Sequence, residues 1–283
     1  MTAPPSIATL LQQGLFHHQQ GQFAQAMERY TDVLRTDPQN AEALYYVAAI
    51  ACQEGQYREG IALARRALEQ GPPQARVHNL IGKAQERQGE HLEAVKSFDA
   101  AIALDGKFAE AHGNRAAILA AAGLHDQALK GYDRALALDP KAVADWINRG
   151  ALLADLGRND EAIESYERAI ALAPQALPAH LNRAEALRAA GRPQDALAAY
   201  EQALALKPDL PEAQIGRAAA LKELGRPDEA LAAVELTLAA KSELAPAHRL
   251  RGRLLEALGR AEEAEAALAK AAELEAQPAQ APG

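Results

Sequence analysis

The sequence predicts an all-α protein built from stacked helical hairpins. Glycine recurs at a constant interval of 34 residues from Gly21 to Gly259, two further columns in that frame hold only small residues, and aromatic residues make up just 4% of an alanine-rich chain. Close-packed helices suit such a composition, whereas strands draw on β-branched and aromatic residues. A period of this length is the signature of a repeat architecture, in which one unit cannot bury its own apolar face and neighbours must stack.

The periodic glycines are Gly21, Gly55, Gly89, Gly123, Gly157, Gly191, Gly225 and Gly259. With this glycine at slot 15, eight repeats begin at residues 7, 41, 75, 109, 143, 177, 211 and 245 and fill 7–278. Residues 1–6 are expected to be a leader and 279–283 a flexible tail. In each repeat the glycine ends a first helix with a left-handed C-cap. Slot 32, which is Pro38, Pro72, Pro140, Pro174 and Pro208 in five repeats, stops a second helix. Asp37 and Asp139 beside it suit the turn to the next unit. Slot 8 is always Gly or Ala, and slot 20 is Ala except for Gly60, so the two helices can approach closely. Slot 24 carries Tyr30, Phe98, Tyr132, Tyr166 and Tyr200, whose rings fill the space beside the small residues.

In these columns the chain resembles the tetratricopeptide repeat family over nearly its whole length. The resemblance implies a right-handed superhelical solenoid of eight helix-turn-helix repeats, with first helices lining a concave groove and second helices outside. Departures from the family pattern predict looser units. Repeat 2 has Gly60 and Ala64, repeats 7 and 8 have Val234 and Leu268 in the aromatic slot, and Ser242 and Ala276 replace the proline.

Composition narrows the function classes. A 49% hydrophobic chain can build a core, and a net charge of −8 disfavours generic binding to nucleic acid or anionic membrane. No Lys or Arg precedes Arg29, and the apolar runs, such as Ala116 to Ala122, are too short to span a bilayer. A cytoplasmic protein without membrane insertion is the expectation. The one cysteine, Cys52, leaves no internal disulfide or multi-cysteine zinc site and is expected to be a small edge filler. His78, His112, His180 and His248 share slot 4 with Trp146, too far apart along the array to share an ion, so they are expected to be planar packing residues and no metal is expected. With no nucleophile elbow, phosphate-binding glycine motif or converging carboxylates, no catalytic residue and no cofactor are expected.

Slot 7 holds Arg115, Arg149, Arg183, Arg217 and Arg251, and each follows an acid in slot 25 of the preceding repeat: Asp99, Asp133, Glu167, Glu201 and Glu235. Where the acid is missing, so is the arginine: Thr31 precedes Val47 and Arg65 precedes Ile81. The joint switch points to an inter-repeat ladder of ion pairs, the alternative being an arginine stripe facing an acidic ligand.

Slot 6 holds Asn114, Asn148 and Asn182. An amide donates and accepts at once, so a row of them suits an extended peptide backbone. The row is similar to the asparagine ladder in the repeat arm of O-linked N-acetylglucosamine transferases; a solvated groove floor is the plain alternative. Gly113, Ala117, Ala120, Ala121, Ala151 and Ala154 would let a ligand come close, while Tyr45, Tyr46, Arg76, Lys83 and Arg87 offer aromatic and cationic anchors. The lysine and asparagine slots of the family's carboxylate clamp here hold Leu11, Tyr45, Gly113 and Ala117, against binding of chaperone C-termini. The function expected is a non-catalytic interaction scaffold that takes an extended peptide or a partner helix. The alternatives are a substrate-recruiting arm or accessory subunit of a glycosyltransferase-like enzyme, and a scaffold that self-associates weakly through its end repeats.

Overall fold

The computed structural model describes residues 5–72 and 74–276. These residues form sixteen α-helices and no strand. In chain order they are α1 (Ile7–Gln19), α2 (Phe23–Thr36), α3 (Ala41–Gln53), α4 (Tyr57–Gln70), α5 (Ala75–Arg87), α6 (His91–Leu104), α7 (Ala109–Ala121) and α8 (His125–Leu138), then α9 (Val143–Asp155), α10 (Asn159–Leu172), α11 (Leu177–Ala189), α12 (Pro193–Leu206), α13 (Pro211–Glu223), α14 (Pro227–Ala240), α15 (Ala245–Ala257) and α16 (Ala261–Ala276). They fall into two compact units, Met1–Ala142 and Val143–Gly283, each holding eight helices. The division coincides with the repeat start read at residue 143. The expected tail at 279–283 lies outside the described residues, as does most of the leader, of which Ser6 caps α1 by accepting from the Thr9 amide at 3.2 Å.

The hairpin turn is set by the glycine column. All eight glycines have positive φ, between 71° and 81°, a conformation that costs glycine nothing sterically. The amide of the following residue then bonds the carbonyl five residues back, as in Gln22 to His17 and Arg226 to Leu221, closing the C-terminal turn of the odd-numbered helix. Between hairpins of the first unit, Asp37, Asp105 and Asp139 accept from the amides of Gln39, Lys107 and Lys141 at 2.9–3.2 Å and fix the turn.

Packing inside a hairpin follows from slots 8 and 24. A Cβ added to Gly14, Gly82 or Gly150 would stand 2.4–2.6 Å from the ring of Tyr30, Phe98 or Tyr166, so glycine there is what lets the ring lie against the helix backbone. Two of the three units expected to be loose are packed at slot 24. Ala64 and Val234 are fully buried, and the space that an alanine would fill at Gly60 is taken by Cys52 Sγ, 2.3 Å from the position of such a Cβ. Only Leu268, on α16, remains half-exposed among the slot-24 residues.

Within each unit, every even-numbered helix packs on the odd-numbered helix after it, and odd-numbered helices also touch one another, α3 with α5 and α5 with α7, α9 with α11 and α11 with α13. One face of each unit is therefore made of odd-numbered helices. This face carries most of the site.

Candidate functional site

In the first unit a cleft of about 530 Å³ opens on this face. Its floor is aromatic and apolar: Leu15 and His18 from α1, Tyr45, Tyr46 and Cys52 from α3, Tyr57 from α4 and Leu80 from α5. Its rim carries Lys83 and Arg87, and no acidic residue lines it among the described residues. The tyrosines are held from below. Tyr46 stacks on the buried Tyr30 with ring centroids 4.9 Å apart and planes within 10°, and Tyr45 meets Tyr46 edge-on at 5.2 Å. His18 abuts both Tyr46 and Phe23. Arg76 lies over the Tyr45 ring at 4.5 Å, where the ring's negative face attracts a guanidinium, and its Nε donates to Gln74. Arg76 therefore supports the wall of the cleft.

The two rim cations differ. Lys83 is paired with Glu110 at 2.8 Å, while exposed Arg87 has no acidic partner among the described residues. Burial pushes the Tyr45 hydroxyl above its ordinary range, although Arg76 pulls the other way, so the phenol stays neutral at physiological pH. Burial also raises the Cys52 thiol, against a smaller opposing effect of Lys83, which leaves it a poor nucleophile.

The second unit has a smaller cleft of about 300 Å³, walled by Ala151 and Ala154 on α9 and by Asn182, Glu185 and Arg188 on α11, with Asp155 and Tyr166 beside them. Its one cation is already engaged: Arg188 bonds Glu223 at 2.8 Å and Glu185 at 3.1 Å. Burial disfavours the Arg188 charge, but these carboxylates more than offset it and raise its pKa. Burial pushes the Tyr166 hydroxyl up to about 12, with the nearby Asn182 amide pulling the other way.

The asparagine row is thus unequal. Asn114 donates to Oδ1 of the buried Asn79 at 3.1 Å, Asn182 is half-buried beside Tyr166, and Asn148 is exposed. One of the three amides thus spends part of its bonding capacity inside the protein and a second is partly covered. Sequence reading did not single out Asn79, nor Leu15, His18, Tyr57 and Leu80 in the first cleft. Leu15 and His18 stand at the frame positions of Ala117 and Ala120, so the 34-residue frame itself marks them as groove residues. Tyr57 opens an even-numbered helix and had no such signal.

In the acid–arginine columns Asp99 lies 2.6 Å from Arg115, Glu201 3.7 Å from Arg217 and Glu235 3.4 Å from Arg251. The rung expected between Glu167 and Arg183 is not formed. Arg183 reaches across to Gln202 Oε1 at 2.8 Å, an acceptor that needs no desolvated carboxylate. Asp133 belongs to the first unit and Arg149 to the second, where Arg149 donates to the buried Ser165 at 2.8 Å. The slot-4 histidines have a definite task. His112, His180 and His248 bond through Nε2 to the carbonyls of Gly106, Pro174 and Ser242, six residues earlier, which ties each helix start to the turn before it. Among the described residues no group of three His, Cys, Asp or Glu side chains is placed to hold a metal, and no helix is long and apolar enough to cross a membrane.

Three family models, each for the tetratricopeptide repeat, match the chain at residues 17–84 and 187–254, 79–143 and 147–211, and 245–278. A tetratricopeptide repeat protein from Parabacteroides merdae superposes with a TM-score of 0.62 at 21% identity, over 83% of this chain and 93% of that one. PilF of Pseudomonas aeruginosa superposes at 0.66 with 21% identity, over 74% of this chain and 95% of its own. PilW, described as a widely conserved type IV pilus biogenesis factor, gives 0.62 at 23% identity, over 72% and 94%. At these identities the likeness concerns the fold. No curated protein matches the sequence.

Proposed function

The chain belongs to the tetratricopeptide repeat family, and on that premise we propose that its sixteen helices are eight repeats of an interaction scaffold whose first cleft receives an extended segment of a partner protein. The segment this cleft suits carries an apolar or aromatic side chain next to a carboxylate. The observation that carries the reading is the conjunction of an aromatic floor, prepositioned by the Tyr30–Tyr46 stack and the Arg76 contact, with an unpaired guanidinium at its rim. A rigid aromatic floor costs little ordering entropy on binding, and arginine pairs with carboxylates in two-pronged geometry. The internal bond of Asn114 and the partial burial of Asn182 weigh against an asparagine row as the main anchor and leave Asn148 as the amide most available to a ligand backbone.

The test is capture by immobilised short synthetic peptides that place Phe, Tyr or Leu beside Asp or Glu, with Lys-containing counterparts as controls. The wild-type chain is expected to retain the acidic–aromatic set. Arg87→Glu, at an exposed position that leaves the helix intact by circular dichroism, is expected to weaken retention roughly tenfold or more, the scale of losing one anchoring contact. Equal retention by wild type and Arg87→Glu, or a preference for the Lys set, would sink the reading.

A further inference from the structure

Within a unit, slot 10 of an odd-numbered helix is its plug into the hairpin before it. Ile50 is buried against Ala26 and Tyr30, and Ile118 against Ala94 and Phe98, so slot 10 meets slots 20 and 24 of the unit before it. In the seven odd-numbered helices after α1, the slot-10 residues Ile50, Ala84, Ile118, Leu152, Ala186, Ala220 and Leu254 are all at most 7% exposed. On α1 the same slot is Phe16, 59% exposed. The receiving column has its exception at the opposite end. Slot 24 is buried in seven repeats, and its eighth member, Leu268 on α16, is half-exposed. The two exposed members are thus the two halves of one contact that recurs along the chain.

We propose that α1 of one copy docks on α16 of a second copy, with Phe16 seated on Ala264 and Leu268, so that the protein associates head to tail. Two features favour a second copy as the occupant. The ladder columns match. Slot 7 of the first repeat is Gln13 and slot 25 of the last is Ala269, so the junction would strand neither an arginine nor an acid. The charges also choose the pairing. α16 carries Glu262, Glu263, Glu265, Glu273 and Glu275 against a lone Lys270, which opposes α16 meeting another α16, whereas α1 has no Asp, Glu, Lys or Arg. A contact between unlike surfaces propagates from copy to copy, into open chains or, where the rotation closes, rings. This association uses the end faces and is independent of the cleft.

Sedimentation of the full chain across a concentration series tests the proposal. Wild type is expected to grow in mass with concentration. Phe16→Glu should remove the growth, Phe16→Leu should keep part of it, and Arg87→Glu should leave it unchanged. Removing one buried ring from the contact should weaken association by roughly thirtyfold or more. In a Cys52→Ser background, Gln13→Cys mixed with Ala269→Cys should give crossed dimers with a short bismaleimide. A wild type that stays monomeric throughout would overturn the proposal. So would cross-linking of Gln13→Cys to itself in place of Ala269→Cys, which would mean α1 meeting α1.

Discussion

The two units share a backbone plan and spend it differently. In the first, the space between helices is filled by rings that touch one another, from His18 and Phe23 through Tyr30 and Tyr46 to Tyr45, and the last of these surface in a cleft rimmed by cations. In the second, slot-24 rings are buried singly and charge pairs take over. Arg158, Arg192, Arg226 and Arg260 each bind the acid three residues on, Glu161, Asp195, Glu229 and Glu263, at the start of an even-numbered helix. The equivalent slot in the first unit holds Gln22, Gln56, Glu90 and Leu124. The helical frame is therefore indifferent to what fills its columns, and binding chemistry is free to concentrate where rings and unpaired cations coincide.

The sharpest way to break this contrast is to remove a ring. Tyr30→Ala deletes a fully buried side chain and the support of Tyr46, and is expected to cost about 3–5 kcal/mol in chemical unfolding. It should also abolish peptide capture. Tyr200→Ala should destabilise on the same scale yet leave capture intact, because Tyr200 belongs to the unit without the aromatic cleft. Loss of capture in both variants would show that binding follows global stability and would erase the distinction between the units.

A smaller effect separates the arginines. Double-mutant cycles should give a coupling of about 0.2–1 kcal/mol for Asp99 and Arg115, which pair while partly exposed. For Glu167 and Arg183 the coupling should vanish, since Arg183 bonds Gln202. A similar coupling at both sites would restore a uniform ladder.

The smallest effect concerns pH. Hydrogen bonds from Arg158, Arg226 and Arg260 hold Glu161, Glu229 and Glu263 below the ordinary carboxylate value of 4.5. A depressed carboxylate stabilises the fold above its unfolded value, and the contribution fades as pH falls through the lower folded value. Carboxyl titration by NMR should place these three midpoints below 4.5, and Arg226→Gln should return Glu229 toward it. The groups sit at the surface, where solvent screens them, so the consequence for stability is slight.

Much of this was legible in residue order. The glycine column specified each hairpin turn because only a residue without Cβ adopts φ near 75° at no cost, and all eight do so. Pairing of acid and arginine was legible where the geometry is repeated, as at Asp99 and Arg115, and failed at Arg183, whose guanidinium donates to Gln202, nineteen residues on and outside the acid column. Gly60 looked like a defect until Cys52 proved to fill its space. Local spacing cannot register a compensation made by a neighbouring helix.

The sequence by itself thus determined the helices, their turns and the columns that must meet, since these depend on contacts repeated at a constant interval. Which polar groups remain for a ligand was decided only by the tertiary structure. Asn79 takes up Asn114 and Glu110 takes up Lys83, while Arg87 is left over. Each of these outcomes rests on a side chain of one hairpin reaching a side chain of another helix, a distance that the order of residues does not contain.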